Sequence, residues 1–423
     1  MSAFWGQNAV LRAGGAGWTC EDVGVRTPRA PRIVAATVQA RVTPLELFFD
    51  LVFVFGLTQI TSLMAHEVSV HGIVRGLLVL GLLWWSWTAY AWLCNLVVAD
   101  EGAIRAVLLA VMAAMFLLAL AIPQAFTDQP GGHNGPVVVA LCYFAFRALY
   151  LLLFWIIGRE DPGLRQQLLR WTPSVVGGTA LLLVASRYTG VTQTGLWALA
   201  MLADYGGTLL AGGSGWRLRA PGHFAERHGL IIIIALGESI VAIGAGMGGL
   251  PISWSVIAAS VLGLAVCAAL WWAYFDVTAL MGERALAGEP ERSRARLARD
   301  AYSFLHLPMV AGIVLLALGL KKVLQHVANT GHDEPLTVSA LYGGVALYLL
   351  AHVAFKLRIL RTVSVWRVVV AAILVALVPL TTRLAPLVAL GVLAAVLVGL
   401  VGYETLRFAA VRDSVHHRPA AAA

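Results

Sequence analysis

Charge is what this chain lacks. Of its 423 residues only 12% are Asp, Glu, Lys or Arg, against ~25% in an ordinary soluble protein. A soluble fold of this length needs far more polar side chain to cover its surface. A secreted protein, a nucleic-acid binder and a soluble dinucleotide-binding or barrel enzyme are therefore excluded. Cysteine is scarce too. Cys20, Cys94, Cys142 and Cys267 are widely spaced, with no CxxC pair and no His/Cys zinc pattern, which predicts neither a disulfide nor a structural zinc. The Walker A loop, the GxSxG elbow, the HExxH helix and a GxGxxG fingerprint opening a βαβ unit are all missing. The chain is not expected to hydrolyse nucleotides itself.

Apolar residues fill the place of the missing charge. They make up 60% of the sequence, and mean hydropathy is +0.82. The pattern predicts an all-α polytopic integral membrane protein with about 12 transmembrane helices, each of ~20 residues and able to cross a ~30 Å hydrocarbon core. They fall near 46–65, 73–98, 104–123, 136–157, 169–186, 193–212, 229–247, 251–279, 302–320, 336–356, 366–382 and 385–407. The basic residues test this count independently. With the N-terminus inside, 24 Lys and Arg fall on inside segments and four (Arg187, Lys321, Lys322, Arg383) outside, while Arg75 and Arg147 lie within spans. A bias of that size, alternating over the whole chain, predicts that both termini are cytoplasmic. It also accounts for the net charge of +8 without a nucleic-acid partner. The expected partners are the lipid bilayer and a small-molecule or ion substrate.

Residues 1–43 are rich in Arg, Gly, Ala and Pro and have no apolar core segment. They read as a cytoplasmic, mostly disordered tail and not as a signal peptide. Residues 409–423, with His416 and His417, read as a solvated C-terminal tail. Between the tails the first and seventh spans match at an offset of 180 residues: Glu46 falls on Glu226, Thr58 on Glu238 and Gln59 on Ser239. The second and eighth spans both carry a tryptophan pair before a tyrosine, WWSWTAY at Trp84 and WWAYFD at Trp271. The third and ninth share LLAL, at Leu117 and Leu315. The shared order predicts two six-helix repeats, 44–215 and 216–408, each an even number of spans and therefore parallel.

Ionisable groups inside a bilayer are costly and call for a partner or a role. One set lies toward the inner face. Glu46 and Asp50 share a helix face at i and i+4, and His223, Glu226 and Arg227 open the seventh span. Asp276 follows the second tryptophan pair, and His306 lies one turn into the ninth span. Such carboxylates and imidazoles serve as a proton relay. Equally, Glu46, Asp50, Glu226, Asp276 and His306 could hold a divalent metal; no other cofactor is expected. The plain alternative is that acidic residues in a first turn only complement the helix dipole. A second set is deeper: Glu238, Asp204 and Arg147. Arg147 is the expected structural ion-pair partner of one carboxylate, leaving the other to exchange protons. Gly237 beside Glu238 is expected to admit a neighbouring backbone. Glu404 and His352 read as rim residues, and Trp84, Trp85, Trp87, Trp271 and Trp272 as an aromatic belt.

PLELFFDLVFVFGLTQI from Pro44 and HFAERHGLIIIIALGESIVAIG from His223 resemble the two signatures of the bacterial low-temperature-requirement A (LtrA) family. LWWAYFD at Leu270–Asp276, YSFLHLPMVAGIV at Tyr302–Val314, the tryptophan-rich stretch Trp84–Trp87 and Asp204 before the basic linker are similar to the same family. The resemblance covers residues 41–400 and implies a multi-span protein of the bacterial inner membrane. It places the family's signature residues at Glu46, Asp50, His223, Glu226, Arg227, Glu238, Asp276 and His306. The long N-terminal tail departs from the pattern. The resemblance implies no chemistry, so the residues decide among three functions: a proton- or ion-coupled transporter, a membrane-embedded enzyme acting on a lipid or polyprenyl substrate, and a non-catalytic membrane factor supporting growth in the cold.

Overall fold

Fourteen helices carry the described part of the chain, which in this computed structural model is residues 9–14, 17–22, 37, 40–97, 102–211, 216–327, 335–409 and 412–413. They are α1 (Pro44–His66), α2 (Val70–Leu96), α3 (Gly102–Ala121), α4 (Gly135–Ile157), α5 (Pro162–Ala185), α6 (Gly190–Ala211) and α7 (Pro221–Gly246). In the second half come α8 (Trp254–Phe275), α9 (Thr278–Gly288), α10 (Glu291–Ala298), α11 (His306–His326), α12 (Pro335–Leu360), α13 (Val365–Thr381) and α14 (Pro386–Arg407). Two short strands, Ala9–Gly14 and Gly17–Asp22, pair antiparallel within the N-terminal tail. The tail residues around them, and His416 and His417, lie outside the described residues.

Among the described residues ten helical segments are long and apolar enough to cross a membrane. Each of the twelve spans expected from sequence corresponds to a helix, and the two that miss that standard are α6, the more polar, and α13, of 17 residues. Side-chain contacts align both with their neighbours. Thr194 meets His71 at 2.7 Å and the Tyr205 hydroxyl donates to the Gly81 carbonyl at 2.8 Å, so α6 runs beside α2 in the same direction. Tyr342 reaches the Ala389 carbonyl at 2.6 Å, which makes α12 and α14 parallel, with α13 running back between their ends. The expected boundaries err at helix starts. α5 begins at Pro162 and α7 at Pro221, earlier than their apolar runs. Proline at the first helical position is pre-set for a helix start, and Asp161 caps α5 by accepting from Gly163 N and Leu164 N. The loop before the ninth span is itself helical, as α9 and α10, and joins α11 through a π-helical turn at Arg299–Phe304.

Three parallel helices, α1, α7 and α11, form the centre. The pairs Glu46–His223, Asp50–Arg227 and Thr58–Glu238 run along α1 and α7 at a nearly constant offset, the signature of parallel helices. On the other side of α7, the His228 ring lies against His306 and the Ser239 hydroxyl reaches the Ile313 carbonyl, so α11 runs the same way. These three helices begin at one end of the bundle, the near end. α2 passes antiparallel through this core, and every residue from 79 to 97 on it is buried. α12 packs closely on α11: a Cβ at Gly312 would lie 2.5 Å from the Gly344 carbonyl oxygen.

Helix neighbours recur between the halves. Within α1–α6 the touching pairs include first with second, first with third, second with sixth, and each successive pair from third to sixth. The same pairs touch among α7, α8, α11, α12, α13 and α14 taken in that order. The first-with-third and second-with-sixth contacts do not follow from chain connectivity, because they join helices that are not consecutive.

Candidate functional site

The seam between α1 and α7 collects the buried charge. It starts with a helix cap. Thr43 Oγ1 accepts from Glu46 N at the start of α1, and Glu46 Oε2 accepts from Thr43 N at 2.8 Å, a reciprocal capping box. Glu46 therefore fills the dipole-complementing role of a first-turn acid. It also does more, because it is 1% exposed and its second oxygen faces α7. His223 Nε2–H donates to Glu46 Oε1 at 3.0 Å, and Arg227 Nη1 lies 2.9 Å from the same oxygen, at ion-pair distance though not in hydrogen-bond alignment. One turn deeper, Arg227 Nη2 donates to Asp50 Oδ1 at 2.8 Å, and Trp87 Nε1–H donates to that oxygen from α2 at 2.9 Å. The guanidinium also sits against the faces of Trp87 and Tyr90. Two carboxylates thus share one fully buried arginine, the arrangement that lowers the cost of charge away from water. Asp50 Oδ2, His223 Nδ1 and Arg227 Nε are buried without a hydrogen-bond partner.

Asn95 sets the position of α7 in this seam. It is buried at the end of α2, donates to the Ala220 carbonyl at 2.6 Å and accepts from Arg219 N at 2.9 Å. These bonds fix the residues just before Pro221, and so the register of His223 and Arg227 against α1. In the sequence Asn95 shows only as one amide in an apolar run.

About three turns beyond Arg227 along α7, Glu238 is 1% exposed and accepts from the Thr58 hydroxyl of α1. These two residues fall on each other in the 180-residue match. Lys321 of α11 is close enough to act on Glu238 electrostatically, but no ion pair joins them among the described residues; the Lys321 ammonium sits 3.5 Å from Ser62 Oγ. Gly237 does not serve the close approach expected of it, since nothing would lie within 4 Å of a Cβ there. It faces outward while Glu238 turns into the seam.

The other expected residues separate from this seam. Arg147 takes Asp204, not Glu238: Nη2 donates to Asp204 Oδ1 at 2.9 Å, and the Tyr143 hydroxyl bonds the other oxygen. That pair is buried among α4 and α6. Glu226 is exposed and does not join Glu46 or Asp50, because the residue one position on, Arg227, occupies the inward face. Asp276 pairs with Arg412 at 2.9 Å. His306 lies in an aromatic column. Its Nδ1–H donates to the Ala301 carbonyl at 3.0 Å, which leaves Nε2 to accept from the Tyr274 hydroxyl at 2.9 Å. His228 packs edge-on in the same column, 5.3 Å from His306 between ring centres, and has no signal in the sequence beyond its place next to Arg227. His352 is not a rim residue. It is fully buried against the Arg367 guanidinium, which also binds Glu404 at 2.7 Å. Nor do the tryptophans form a belt. Trp84, Trp85 and Trp87 are buried in the bundle, with Trp84 Nε1–H donating to the Ser303 carbonyl at 2.7 Å, and of the five only Trp271 is exposed.

Among the described residues no three His, Cys, Asp or Glu side chains gather into a set that could hold a metal ion. The five residues expected to share one are divided: Glu46 and Asp50 lie in the seam, Glu226 is exposed, Asp276 pairs with Arg412 and His306 lies in the aromatic column. A wide cavity of about 490 Å³ opens at the near end of the second half, between the ends of α8, α12 and α14 and the start of α13, with Asp276, Lys356, Arg367 and Glu404 in its wall.

The profile of bacterial low temperature requirement A protein (LtrA) matches residues 41–402. An uncharacterized protein of Rhizobium meliloti is similar, 28% identical over 332 residues that cover 74% of this chain and 76% of that one. No solved structure matches. The matched region takes in every helix from α1 to the last turns of α14, with the α1–α7 seam inside it, and the chain belongs to the LtrA family of bacterial membrane proteins.

Proposed function

We propose that this LtrA protein is a proton-coupled transporter whose path follows the α1–α7 seam, between two parallel six-helix halves. The observation that carries the reading is Glu238. It is a fully buried carboxyl group midway along the seam, held by a hydroxyl and lacking a cation at ion-pair distance among the described residues. A carboxyl group in that place can be discharged by taking a proton and recharged by losing it, which is the chemistry of a coupling site. The near-end cluster of Glu46, Asp50, His223 and Arg227 is its entrance, where three buried polar atoms remain free to bind water or solute. The recurrence of helix neighbours in the two halves supports the repeat, and the parallel course of α1 and α7 agrees with an even number of spans in each. Asp204, closed by Arg147 and Tyr143, is a structural pair in this reading. The excess of Lys and Arg on near-end segments supports placing the near end, with both termini, on the cytoplasmic side of the bacterial inner membrane.

The test is proton movement. In proteoliposomes with a trapped pH dye, a potassium diffusion potential drives protons inward through the wild type and not through Glu238→Gln. Infrared difference spectra across a pH titration show a buried carboxyl band that the same substitution removes. A wild-type protein with neither the flux nor the band overturns the reading.

The cavity at the near end of the second half favours one second reading, a membrane-embedded enzyme acting on a lipid head group, with Lys356, Arg367 and Glu404 as its polar groups. Turnover of labelled membrane lipid by the purified protein, lost in Lys356→Met and kept in Glu238→Gln, separates it from transport.

A further inference from the structure

A second cavity lies at the near end of the first half, apart from the α1–α7 seam. Ends of α2, α4, α5 and α6 wall it, and α10 covers it. Its water-accessible volume is about 40 Å³. One water needs ~10–15 Å³ on this measure, so the space suits a head group and not a whole solute. The walls are aromatic: Trp171 lies 4.6 Å from Trp216, and Trp216 lies 5.1 Å from Trp92, between ring centres.

Four polar atoms of lining residues are buried without a partner: Thr88 Oγ1, Arg147 Nε, Tyr150 Oη and Trp171 Nε1. Their residues are 2%, 3%, 2% and 9% exposed. All four can donate a hydrogen bond, and among the described residues no carboxylate lines the cavity. Native proteins rarely leave buried donors empty, since each costs the desolvation of its group. Four around one space point to an acceptor that belongs there. The charge agrees. Asp204 balances Arg147, but Asp300 is shared by Arg299 and Arg358, and Arg296 stands exposed in the wall. The cavity therefore faces an excess of positive charge.

We propose that this cavity binds the oxyanion head of an anionic amphiphile, a phosphodiester lipid above all, whose tail lies along the aromatic wall. The four donors and Arg296 hold the oxyanion, and the rings of Trp92, Trp171 and Trp216 take the first carbons of the chain. The site is independent of the transport seam, and its occupancy does not require Glu238.

The test uses the full-length protein in neutral detergent, with dioctanoyl phosphatidylglycerol, dioctanoyl phosphatidylcholine, decanoate and inorganic phosphate as probes and the unfolding temperature as the readout. The anionic lipid raises the unfolding temperature saturably, the zwitterionic lipid does so weakly, and inorganic phosphate does not at equal concentration. Thr88→Val and Trp171→Phe each remove one empty donor, so without lipid they unfold at or above the wild-type temperature. Each weakens the anionic lipid about tenfold, as the loss of one hydrogen bond to a charged group does. Arg296→Gln, on the exposed wall, weakens it too. Equal protection by both lipids, protection by free phosphate alone, or unchanged affinity in all three variants overturns the proposal. So does a loss of lipid-free stability in both Thr88→Val and Trp171→Phe, because it assigns those donors to the fold.

Discussion

One pair of helices handles buried charge in two ways. At the near end of the α1–α7 seam, Glu46 and Asp50 are closed by Arg227, with His223 and Trp87 completing the bonds. About three turns further along the same pair, Glu238 has the Thr58 hydroxyl for a partner and a lysine at a distance. Both places are equally dry. They differ in whether a guanidinium is present, and that decides whether the charge is fixed or exchangeable. A carboxylate locked to arginine by short bonds is part of the framework, since losing its partner is expensive. A carboxyl group held by a hydroxyl can change protonation without stranding an opposite charge.

The largest effect tests the fixed end. Arg227→Met removes one cation and strands two buried carboxylates. It should cost ~5 kcal/mol or more, above the usual loss for one broken buried pair, so the protein fails to accumulate in the membrane. Adding Glu46→Gln and Asp50→Asn to Arg227→Met should recover part of that loss, because a neutral network is less costly than an unbalanced one. Quantified membrane yield and unfolding temperature of the two variants check this. If the triple variant is no better than the single, the cluster is not an electrostatic unit and the contrast with Glu238 fails.

Next in size is Asp204→Asn, which serves as the control away from the seam. It leaves Arg147 charged and buried with only the new amide oxygen in place of the carboxylate, a loss of ~3 kcal/mol. The unfolding temperature should fall clearly while voltage-driven proton flux, scaled to folded protein, stays at the wild-type level. A flux that disappears at full stability would move the coupling site from Glu238 to Asp204.

A smaller change sharpens the fixed end. Trp87→Phe keeps the ring against Arg227 but deletes the Nε1–H bond to Asp50, worth ~1.5–3 kcal/mol for a hydrogen bond to a charged group. Arg227 still holds Asp50, so the loss should sit at the low end of that range, read as a modest drop in unfolding temperature. A drop as large as that of Arg227→Met would mean that the indole, not the guanidinium, fixes the carboxylate.

Much of this contrast was legible in the sequence. The apolar runs, the alternation of basic residues and the few intramembrane charges marked the helices and picked out Glu46, Asp50, His223, Arg227 and Glu238. Which charge meets which was not legible, because a partner depends on helix rotation. One position separates Glu226, exposed, from Arg227, buried, and in an all-apolar helix no periodicity sets that angle. The roles of Asn95, Trp87 and His228 were hidden for a related reason: each is a single polar or amphipathic side chain in a run that scores as apolar, and Trp87 stood out only as part of an expected belt. The early starts of α5 and α7 escaped because their first turns are polar, held by a cap or an N-terminal proline and not by an apolar stripe.

The smallest expected effect on stability belongs to Glu238→Gln, and it is the sharpest test of the comparison. Glutamine has the same shape, and its side-chain oxygen can accept the Thr58 hydroxyl bond that Glu238 accepts. No arginine is stranded, since Arg147 is held by Asp204 and Arg227 by Glu46 and Asp50. Lys321 loses a distant charge, but its ammonium keeps Ser62 within reach. The amide adds donors that need a place, and the nearby Thr61 hydroxyl is already turned to the Leu57 carbonyl. The net change should therefore stay within ~1 kcal/mol, the scale of one neutral hydrogen bond. An unfolding temperature within a few degrees of wild type, together with loss of proton flux, is the expected result. A fall comparable to that of Arg227→Met would show that Glu238 balances a buried cation after all, most directly Lys321, and the seam would then hold fixed charge along its whole length.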